Sequence, residues 1–454
     1  MSISKPFYGL DFGTSNSVIT IAEGEQVRIL PVDIAAPRSE VLQSLLYFKK
    51  DGGESLGQAA VESYLTDNAN RRPVQWQEID TGEEKQVEIA GENGIIYYTT
   101  TVKVRVDINK PGQLLQALKT TLREGSLHTA YIFNKKYSLE NIIAKLLSQM
   151  KQQADKVTGM DLKNVVLGRP VHYIEAGQDD VHVEKRMEEA AKIAGFEKVE
   201  FMAEPIAAAL SYLSGNSNDK TILIFDFGGG TLDFSIVQRD QGGKAKVIAT
   251  GGLSIGGNTF NEEIMVKLLA PYFGSEERWG RKKLPMPVFL KHSLRRWYEL
   301  GKLQTREIRD FLNEVERTAE NTQAVNNLQD LINYDLGFAL FQQIEEAKKQ
   351  LSKQDQAVVE FNRERLNLKA TISRDQFEQI LDPYEIQIDQ SLDQLLSEAN
   401  ISHHDLDHVI ATGGSSQIPK FKQLLVDKFG EDKIQYHGIF TGVGAGLALA
   451  DRLG

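Results

Sequence analysis

Residues 221–238 decide the fold, and they read TILIFDFGGGTLDFSIVQ. The opening residues form the apolar run of a buried strand, and a second strand-like run follows the glycines. Between the two runs lies the turn DFGGGT, residues 226–231. Glycine lets a backbone turn this tightly without a clash at Cβ. The stretch therefore predicts two neighbouring strands that are joined by a glycine turn, with the carboxylate of Asp226 at its start.

A related turn stands near the start of the chain. Residues 7–23 alternate small, apolar and polar side chains around the tetrapeptide DFGT at 11–14, as two strands and a tight turn would. Asp11 and Asp226 are about half the chain apart. That spacing is too long for a solenoid repeat and suits one fold that is used twice. We therefore expect two lobes that face each other across a cleft and grip one ligand.

The composition is that of an ordinary globular protein with more than one lobe. At 454 residues the chain is three times the ~150 residues of a typical domain. A hydrophobic share of 41% and a charged share of 25% argue against disordered, collagen-like and membrane-embedded classes. A net charge of −11 argues against a nucleic-acid partner, which needs a surplus of Lys and Arg on one face. The absence of cysteine excludes disulfides and thiolate metal sites.

Targeting signals are not evident in the sequence. The first residues lack the basic and apolar regions of a secretory leader. No apolar run approaches the ~18 residues of a membrane span. We therefore expect a cytoplasmic protein without a membrane partner.

Two stretches look inserted between the motifs. Residues 68–112 read as edge hairpins, with strand-like runs at 86–89 and 95–106 and a turn at 80–84. Residues 275–335 are of mixed charge and helix-prone. Their basic spots are interpreted as part of a solvated helical surface rather than as a nucleic-acid patch.

The two glycine turns carry the chemistry. Turns built of glycine and small hydroxyl residues offer backbone N–H groups to phosphates at close range. A carboxylate at the end of the preceding strand can hold Mg²⁺ through water or orient an attacking water, which makes Asp11 and Asp226 paired candidates. Neither turn is a Walker loop, because its lysine is absent and a strand follows the turn. His403, His404 and His408 lack a regular ligand spacing and are interpreted as a solvated connector.

A third motif, VIATGGSSQIP at residues 409–419, combines a strand, a Gly-Gly turn and a helix start with small hydroxyls and an early proline. It suits the flat face of an adenosine. In this order the three motifs resemble the phosphate-one, phosphate-two and adenosine motifs of the actin, sugar-kinase and heat-shock-chaperone superfamily. The resemblance implies an α/β protein with the two-lobed actin-like ATPase fold, which consists of duplicated ribonuclease-H-like domains with inserted subdomains.

The motifs also divide the chain. The N-terminal ribonuclease-H-like lobe is expected over residues 1–218, with a subdomain inserted at about 40–135. The C-terminal lobe is expected over residues 219–454, with a helical subdomain inserted at about 258–370.

Within the superfamily, the chain looks most like the seventy-kilodalton heat-shock chaperones. GLDFGTSNS at residues 9–17 resembles their opening motif, and AEPIAAA at 203–209 resembles their Glu-Pro-Thr-Ala-Ala-Ala helix. EEAKKQLS at 345–352 resembles the helix that grips adenosine. The family's stacking arginine is Lys349 here, and Gln417 also stands where the family has arginine. Because lysine has no planar guanidinium to spread over adenine, we expect weaker affinity or base selectivity.

The resemblance implies a role for each matching residue. Lys119 matches the family's catalytic lysine once residues 68–112 are treated as an insertion. The implied catalytic residues are Asp11, Lys119, Glu204, Asp226 and Thr231. Mg²⁺ is held through water by Asp11 and Asp226. The implied contacts to ATP or ADP come from Gly13, Thr14, Ser15, Asn16, Gly228, Gly229, Gly230, Thr231, Gly257, Glu345, Lys348, Lys349, Ser352, Gly413, Gly414, Ser415 and Gln417.

The expected function is slow, magnesium-dependent hydrolysis of ATP to ADP and phosphate, with lobe closure reporting the nucleotide. The role is chaperone-like or that of a conformational switch, with unfolded client proteins or co-chaperones as candidate partners. The linker and peptide-binding domain of full chaperones are not found after Asp451, so we expect a member that lacks that domain. Three alternatives stay open: a nucleotide-sensing adaptor with little hydrolysis, a polymerising bacterial actin, and a sugar kinase, for which no sugar-binding motif is recognisable in the sequence.

Overall fold

The computed structural model contains two mixed β-sheets, each covered by helices and each interrupted by an inserted subdomain. It describes residues 6–24, 26–91, 94–123, 129–133, 135–170, 180–214, 219–240, 245–438 and 441–453.

The elements of the first half precede residue 214. Its strands are β1 (Tyr8–Phe12), β2 (Asn16–Glu23), β3 (Gln26–Ile29), β4 (Leu42–Gln43), β5 (Leu46–Lys49), β6 (Glu54–Leu56), β7 (Trp76–Gly91), β8 (Gly94–Asp107), β9 (Gly112–Leu115), β10 (Thr129–Ile132), β11 (Lys135–Ser138), β12 (Asn164–Arg169) and β13 (Lys198–Ala203). Its helices are α1 (Gly57–Asp67), α2 (Leu118–Arg123), α3 (Leu139–Thr158), α4 (Asp180–Ile193) and α5 (Glu204–Leu213).

The elements of the second half follow residue 220. Its strands are β14 (Thr221–Phe227), β15 (Leu232–Arg239), β16 (Ala245–Leu253), β17 (Arg278–Trp279), β18 (Leu284–Pro285), β19 (Gln356–Arg363), β20 (Leu366–Ser373), β21 (His408–Thr412) and β22 (Ile434–Tyr436). Its helices are α6 (Gly257–Ile264), α7 (Val288–Leu294), α8 (Arg306–Glu316), α9 (Thr322–Asn333), α10 (Gly337–Leu351), α11 (Arg374–Glu398), α12 (Pro419–Phe429) and α13 (Gly442–Leu447). A π-helical turn spans Met265–Leu269, and 3₁₀ helices lie at Ala270–Phe273, Trp297–Leu303, His403–Asp405, Gly414–Gln417, Glu431–Lys433 and Ala450–Leu453.

The two large sheets share one design. The first has the order β13-β12-β1-β2-β3, with β4 beside β2, and the second has the order β16-β15-β14-β21-β22. In each, a central strand starts an antiparallel meander on one side and pairs in parallel with a later strand on the other. The predicted strand–turn–strand units are confirmed, since Asp11 lies opposite Val18 and Asp226 opposite Asp233.

Strand alternation sets the direction of the Asp226 side chain. Phe225 and Phe227 flank it, are fully buried, and lie on one face of the sheet. Phe227 packs against Phe421 of α12 with ring centroids 5.0 Å apart, and Phe225 stacks on Phe234. Because neighbouring residues of a strand point to opposite faces, Asp226 is directed away from this aromatic core and toward the first lobe.

The insertion after α1 differs from its predicted form. Strands β7 and β8 make one long hairpin rather than several, and the predicted turn at 80–84 is a register shift inside β7. Asp80 accepts hydrogen bonds from the Gly82 N–H and from the Thr101 hydroxyl, so its side chain completes a local turn that the strand absorbs as a bulge. Residues 92–93, which connect the strands, lie outside the described residues.

At the base of the molecule α13 returns to the first lobe and crosses α5. A Cβ atom added at Gly446 would lie 1.6 Å from the backbone oxygen of Ala207, so the two helix backbones are in direct contact. The Thr20 hydroxyl of β2 donates to the carbonyl of Gly444 at 2.6 Å. Apolar side chains of α5, β14, β21 and α13 form a shared core there. Glycine at these positions permits the close approach that joins the lobes.

At the opposite end the lobes meet through a polar bridge and an aromatic cluster. Arg71, which follows α1, donates to Asp335 before α10 at 2.7 Å, and it also donates to Asp107 of β8. The Tyr64 ring of α1 packs edge-on against Phe338 of α10, with centroids 5.0 Å apart. The cleft between the sheets is therefore closed at both ends, by apolar helix packing at the base and by the polar bridge and the aromatic cluster at the top.

Candidate functional site

Three elements bring an acidic cluster together in the cleft. Asp11 ends β1, and Glu204 begins α5 directly after β13. A Cβ atom added at Gly168 of β12 would lie 3.3 Å from Glu204 Cγ and 3.6 Å from Asp11 Oδ1, so both side chains converge over this glycine. Lys119 of α2 reaches the same place, with its Nζ 2.7 Å from Glu204 Oε1. The residue predicted across a long insertion is therefore within reach of the cluster.

The electrostatics show how closely these groups are gathered. Burial raises the pKa of Asp11 to about 7, with a further rise from the Glu204 carboxylate and a partial reduction by Lys119. Burial also raises the pKa of Asp226 well above its ordinary value, and the neighbouring Asp233, Glu204 and Asp11 add to it. Several carboxylates thus lie in one cleft, and Lys119 lowers the pKa of both Asp11 and Asp226. A bound cation would relieve the repulsion between the carboxylates.

The two glycine turns face each other across the cleft. A Cβ atom added at Gly229 would lie 2.4 Å from Ser15 Oγ, and one at Gly230 would lie 3.4 Å from Thr14 Cγ2. The glycines of the second turn thus pack on the hydroxyl residues of the first. In the described part of the chain, the backbone N–H groups of these four residues donate no hydrogen bond. Four donors are consequently available along one line between the lobes.

Neighbouring groups hold both turns in place through their carbonyls. In the first turn the Gly13 N–H donates to Asn16 O at 3.1 Å, and the Ser44 hydroxyl donates to Gly13 O. In the second, the N–H groups of Gly257 and Asn258 at the start of α6 donate to the carbonyls of Gly228 and Gly229. These bonds engage carbonyls of both turns and fix the turns in place.

The predicted adenosine helix carries a charged pair that reaches the start of α6. Lys348 of α10 is buried and donates from Nζ to the Gly257 carbonyl at 2.9 Å and to Glu345 at 2.6 Å. Burial raises the pKa of Glu345, but Lys348, Lys349 and Asn261 outweigh it and bring the pKa down to about 2. Lys349 itself is 61% exposed, and its Nζ is 3.7 Å from Glu345 Oε1. The Ser352 hydroxyl turns back onto its own helix.

The third motif packs directly against the second turn. Gly413 has φ +78°, and a Cβ atom there would lie 2.3 Å from Phe227 O and 2.9 Å from Asp226 Oδ1. The buried Ser415 hydroxyl donates to Gly228 O at 2.8 Å, and Gln417 donates to the Ser416 hydroxyl. Gly414 is exposed. The motif therefore supports the second turn as well as bordering the cleft.

Some predicted groups point elsewhere, and others were missed. The Thr231 hydroxyl donates to Asp233 at 2.7 Å, and Asn16 contributes its carbonyl to the first turn. Asn261 and Ser44 were not predicted, although the first holds Glu345 and the second holds Gly13. A polar side chain on the inner face of a helix start was the available signal for Asn261, whereas Ser44 follows a two-residue strand and has none.

A direct protein cage for a metal is not seen. Among the described residues, no three His, Cys, Asp or Glu side chains are grouped as metal ligands. His403 and His404 lie on an exposed 3₁₀ helix, as the interpretation of a solvated connector requires. The carboxylates of Asp11, Asp226 and Glu204 supply oxygen donors in one cleft, which fits a hard cation held through water.

The sequence is similar to that of known proteins. A family model described as "Hsp70 protein" matches residues 112–288 and 308–439, which is more than half of the chain. The chain belongs to the Hsp70 family. It is 24% identical over 430 residues to "Chaperone protein DnaK" of Deinococcus proteolyticus, which covers 93% of this chain and 55% of the relative. The chain thus spans about half the length of the curated relative that it matches.

Hsp70 membership confirms the predicted two-lobed actin-like ATPase fold, in agreement with the duplicated sheets. Residues 1–111 and 289–307 lie outside the two matched stretches, so the first glycine turn joins the site through geometry rather than through that match. No helix in the described part of this Hsp70-family chain is long and apolar enough to cross a membrane. The domain boundaries at 218 and 219 and the roles of the site residues stay predictions.

Proposed function

We propose that the chain binds ATP with Mg²⁺ between its lobes and slowly hydrolyses it to ADP and phosphate. One observation carries the proposal: four unengaged N–H groups, from Thr14, Ser15, Gly229 and Gly230, line a cleft that also holds a carboxylate cluster. Backbone N–H groups of glycine-rich turns suit phosphate oxygens. Carboxylates that repel one another suit a divalent cation.

Each residue of the cluster has a distinct part in the proposal. The two turns hold the phosphates, while Asp11 and Asp226 hold Mg²⁺ through water and Glu204 orients the attacking water. Lys119, already 2.7 Å from Glu204, offsets the charge that develops on the transferred phosphoryl group. Mg²⁺ supplies charge neutralisation to the phosphates. The adenosine lies between α10, with Glu345 and Lys348, and the turn at 413–417.

The biological role in the proposal is a nucleotide-dependent switch of chaperone type in the cytoplasm. The relative is named a chaperone protein, and this chain aligns with about half of its length. Client proteins and co-chaperones are accordingly the proposed partners. Binding at turns that belong to different lobes ties the nucleotide to the relative position of those lobes.

The test compares the wild type with Asp226→Asn and Lys119→Met. ATP binding is measured by calorimetry and phosphate release by a coupled assay, both with and without Mg²⁺. We expect slow turnover in the wild type and a loss of about 10²-fold or more in both variants, with binding largely retained. Asp375→Asn, an exposed carboxylate at the start of α11, is the matched control and should leave turnover unchanged.

The same samples separate the second candidate, a nucleotide-sensing adaptor. Lys349 favours it, because an exposed lysine in place of the family's stacking arginine holds adenine less firmly. ATP binding without turnover in the wild type would support the adaptor and reject the ATPase. The absence of binding would reject both.

A further inference from the structure

One segment of the second lobe has a charge opposite to that of the rest of the chain. Residues 281–302 read RKKLPMPVFLKHSLRRWYELGK, with seven Lys and Arg residues and one Glu. With −11 overall and +6 in this segment, the remainder of the chain carries −17. Most of the segment also lies in the gap at 289–307 between the two stretches that match the Hsp70 family. We call residues 281–302 the basic segment.

The basic segment exposes apolar side chains to solvent and is held to the lobe by buried ones. On α7, Leu290 is 2% exposed and packs inward, whereas Val288 is 69% exposed. Phe289 beside it and Tyr298 in the following 3₁₀ helix are exposed as well. The two helices pack on each other, so these exposed groups lie on adjacent elements. Large exposed apolar side chains that are rimmed by charge are typical of interaction sites.

The seven cations of the basic segment divide into four that pair with carboxylates and three that do not within the described part of the chain. Lys283 lies 2.5 Å from Glu320, and Lys302 lies 3.7 Å from Glu299. Arg295 and Arg296 pair with Glu263 and Glu262 of α6, at 2.7 and 3.0 Å, and tie the segment to the lobe. By contrast, three exposed cations make no ion pair or hydrogen bond with the described residues. They are Arg281, Lys282 and Lys291. The basic segment thus keeps three exposed cations whose charge no described carboxylate offsets.

The far end of the basic segment reaches the contact between the lobes. Trp297 packs edge-on against Phe338, with ring centroids 5.3 Å apart, and Phe338 packs against Tyr64 of the first lobe. The segment is therefore anchored beside the mouth of the cleft. A partner that occupies it lies next to the groups that separate when the lobes open.

We propose that the basic segment docks an acidic segment of another protein, one that also carries apolar side chains. Opposite charge steers such a partner to a strongly basic stretch of an acidic chain, and Val288 and Phe289 supply apolar contact once it arrives. An anionic membrane fits less well. A seven-residue helix with two outward apolar groups buries little area, and the remaining −17 charge is repelled by the lipid surface. This docking surface goes beyond the proposed nucleotide chemistry.

The test uses fluorescence anisotropy with a labelled synthetic peptide in which Glu and Asp alternate with Leu and Phe. A peptide with Ser in place of Leu and Phe, and one with Lys in place of the acids, are the probe controls. The protein variants are K282E/K291E and Phe289→Ser, whose altered side chains are all exposed, so that folding is retained. The matched control is K156E/K185E, two exposed lysines on α3 and α4.

We expect the acidic apolar peptide to bind the wild type with an affinity that falls as salt is raised. K282E/K291E should weaken binding by about tenfold or more, and Phe289→Ser by about three- to tenfold with the salt dependence kept. K156E/K185E should change nothing. All measurements are made without nucleotide, so that failure of ATP binding and failure of docking are distinguished.

Four results would overturn the proposal. They are the absence of peptide binding, equal binding by wild type and K282E/K291E, and stronger binding to phosphatidylserine vesicles than to the peptide. The fourth is a dimer in light scattering that K282E/K291E dissociates, which would assign the basic segment to a second copy of the chain.

Discussion

Replacing Arg71 by methionine tests the polar bridge at the top of the cleft. The Arg71 side chain is 2% exposed and pairs with Asp107, which is 3% exposed, and with Asp335, which is 20% exposed. Asp107 also accepts the N–H groups of Gln75 and Asn109, at 2.9 and 3.0 Å, so its carboxylate cannot turn toward solvent when the guanidinium is removed. Arg71→Met therefore leaves a buried negative charge without its cation.

The magnitude follows from which partner is lost. Removing one member of a buried ion pair costs about 3–5 kcal/mol, because the other charge stays desolvated. Asp335→Asn should cost less, about 1–2 kcal/mol, since water reaches that end of the bridge. A triple variant, R71M/D107N/D335N, has no charge left to compensate and should recover most of the loss.

Urea unfolding of the four proteins, followed by circular dichroism, gives the comparison. Arg28→Met, which breaks an exposed pair with Glu23, is the control and should change stability by less than about 1 kcal/mol. The reasoning is refuted if Arg71→Met costs no more than the control, or if the triple variant is as unstable as Arg71→Met.

Three further predictions concern the cleft and its base. Gly229→Ala forces a Cβ atom to within 2.4 Å of Ser15 Oγ and should weaken ATP binding by about tenfold in calorimetry; unchanged affinity would show that the turns do not meet as described. Gly446→Ala should destabilise the protein by about 1–3 kcal/mol or more in urea, whereas Gly301→Ala, with no atom within 4 Å of its Cβ, should be neutral. Because Asp11 has a pKa of about 7 in the folded protein, above the ordinary 3.8, its protonation stabilises the nucleotide-free fold at low pH, and that stability is lost as the pH rises through 7. Asp11→Asn should therefore unfold at a higher temperature than wild type above pH 7, with the gap closing toward pH 4; a gap that does not depend on pH would contradict this.

The sequence predicted the parts of the fold that rest on local pattern. Both strand–turn–strand units and the turn at 413–414 were readable because glycine and strand alternation leave a mark within ten residues or so of one another. The strand-like runs at 86–89 and 95–106 were predicted correctly. The chain reversal predicted at 80–84 was wrong, because the local turn at Asp80 and Gly82 becomes a bulge inside one continuous strand once β7 pairs with β8.

Contacts across the chain could not be predicted in this way. Arg71 and Asp335 are far apart in sequence, and neither stands in a motif. The hydroxyl of Thr231 could serve a phosphate or a carboxylate, and the folded chain directs it to Asp233. Lys119 is the exception, because the resemblance carried it across an insertion to a place beside Glu204.

The two ends of the cleft differ in a way that determines how the lobes can move. At the base, the backbones of α5 and α13 touch at Gly446 and share an apolar core, so that separating them would expose apolar surface and open a cavity. At the top, the Arg71–Asp335 pair is partly hydrated, and Arg363 donates to the carbonyls of Asn68 and Ala69. The apolar cluster around Tyr64 and Phe338 at this end is smaller than the core at the base. Water can replace polar contacts of that kind at a far lower cost than it can fill a dry helix crossing. The lobes should therefore open at the top and pivot about α5 and α13. Because Glu204 begins α5, such a pivot would change the distance between Glu204 and Asp226. Helix α5 would therefore couple the opening of the cleft to the position of a residue in the carboxylate cluster.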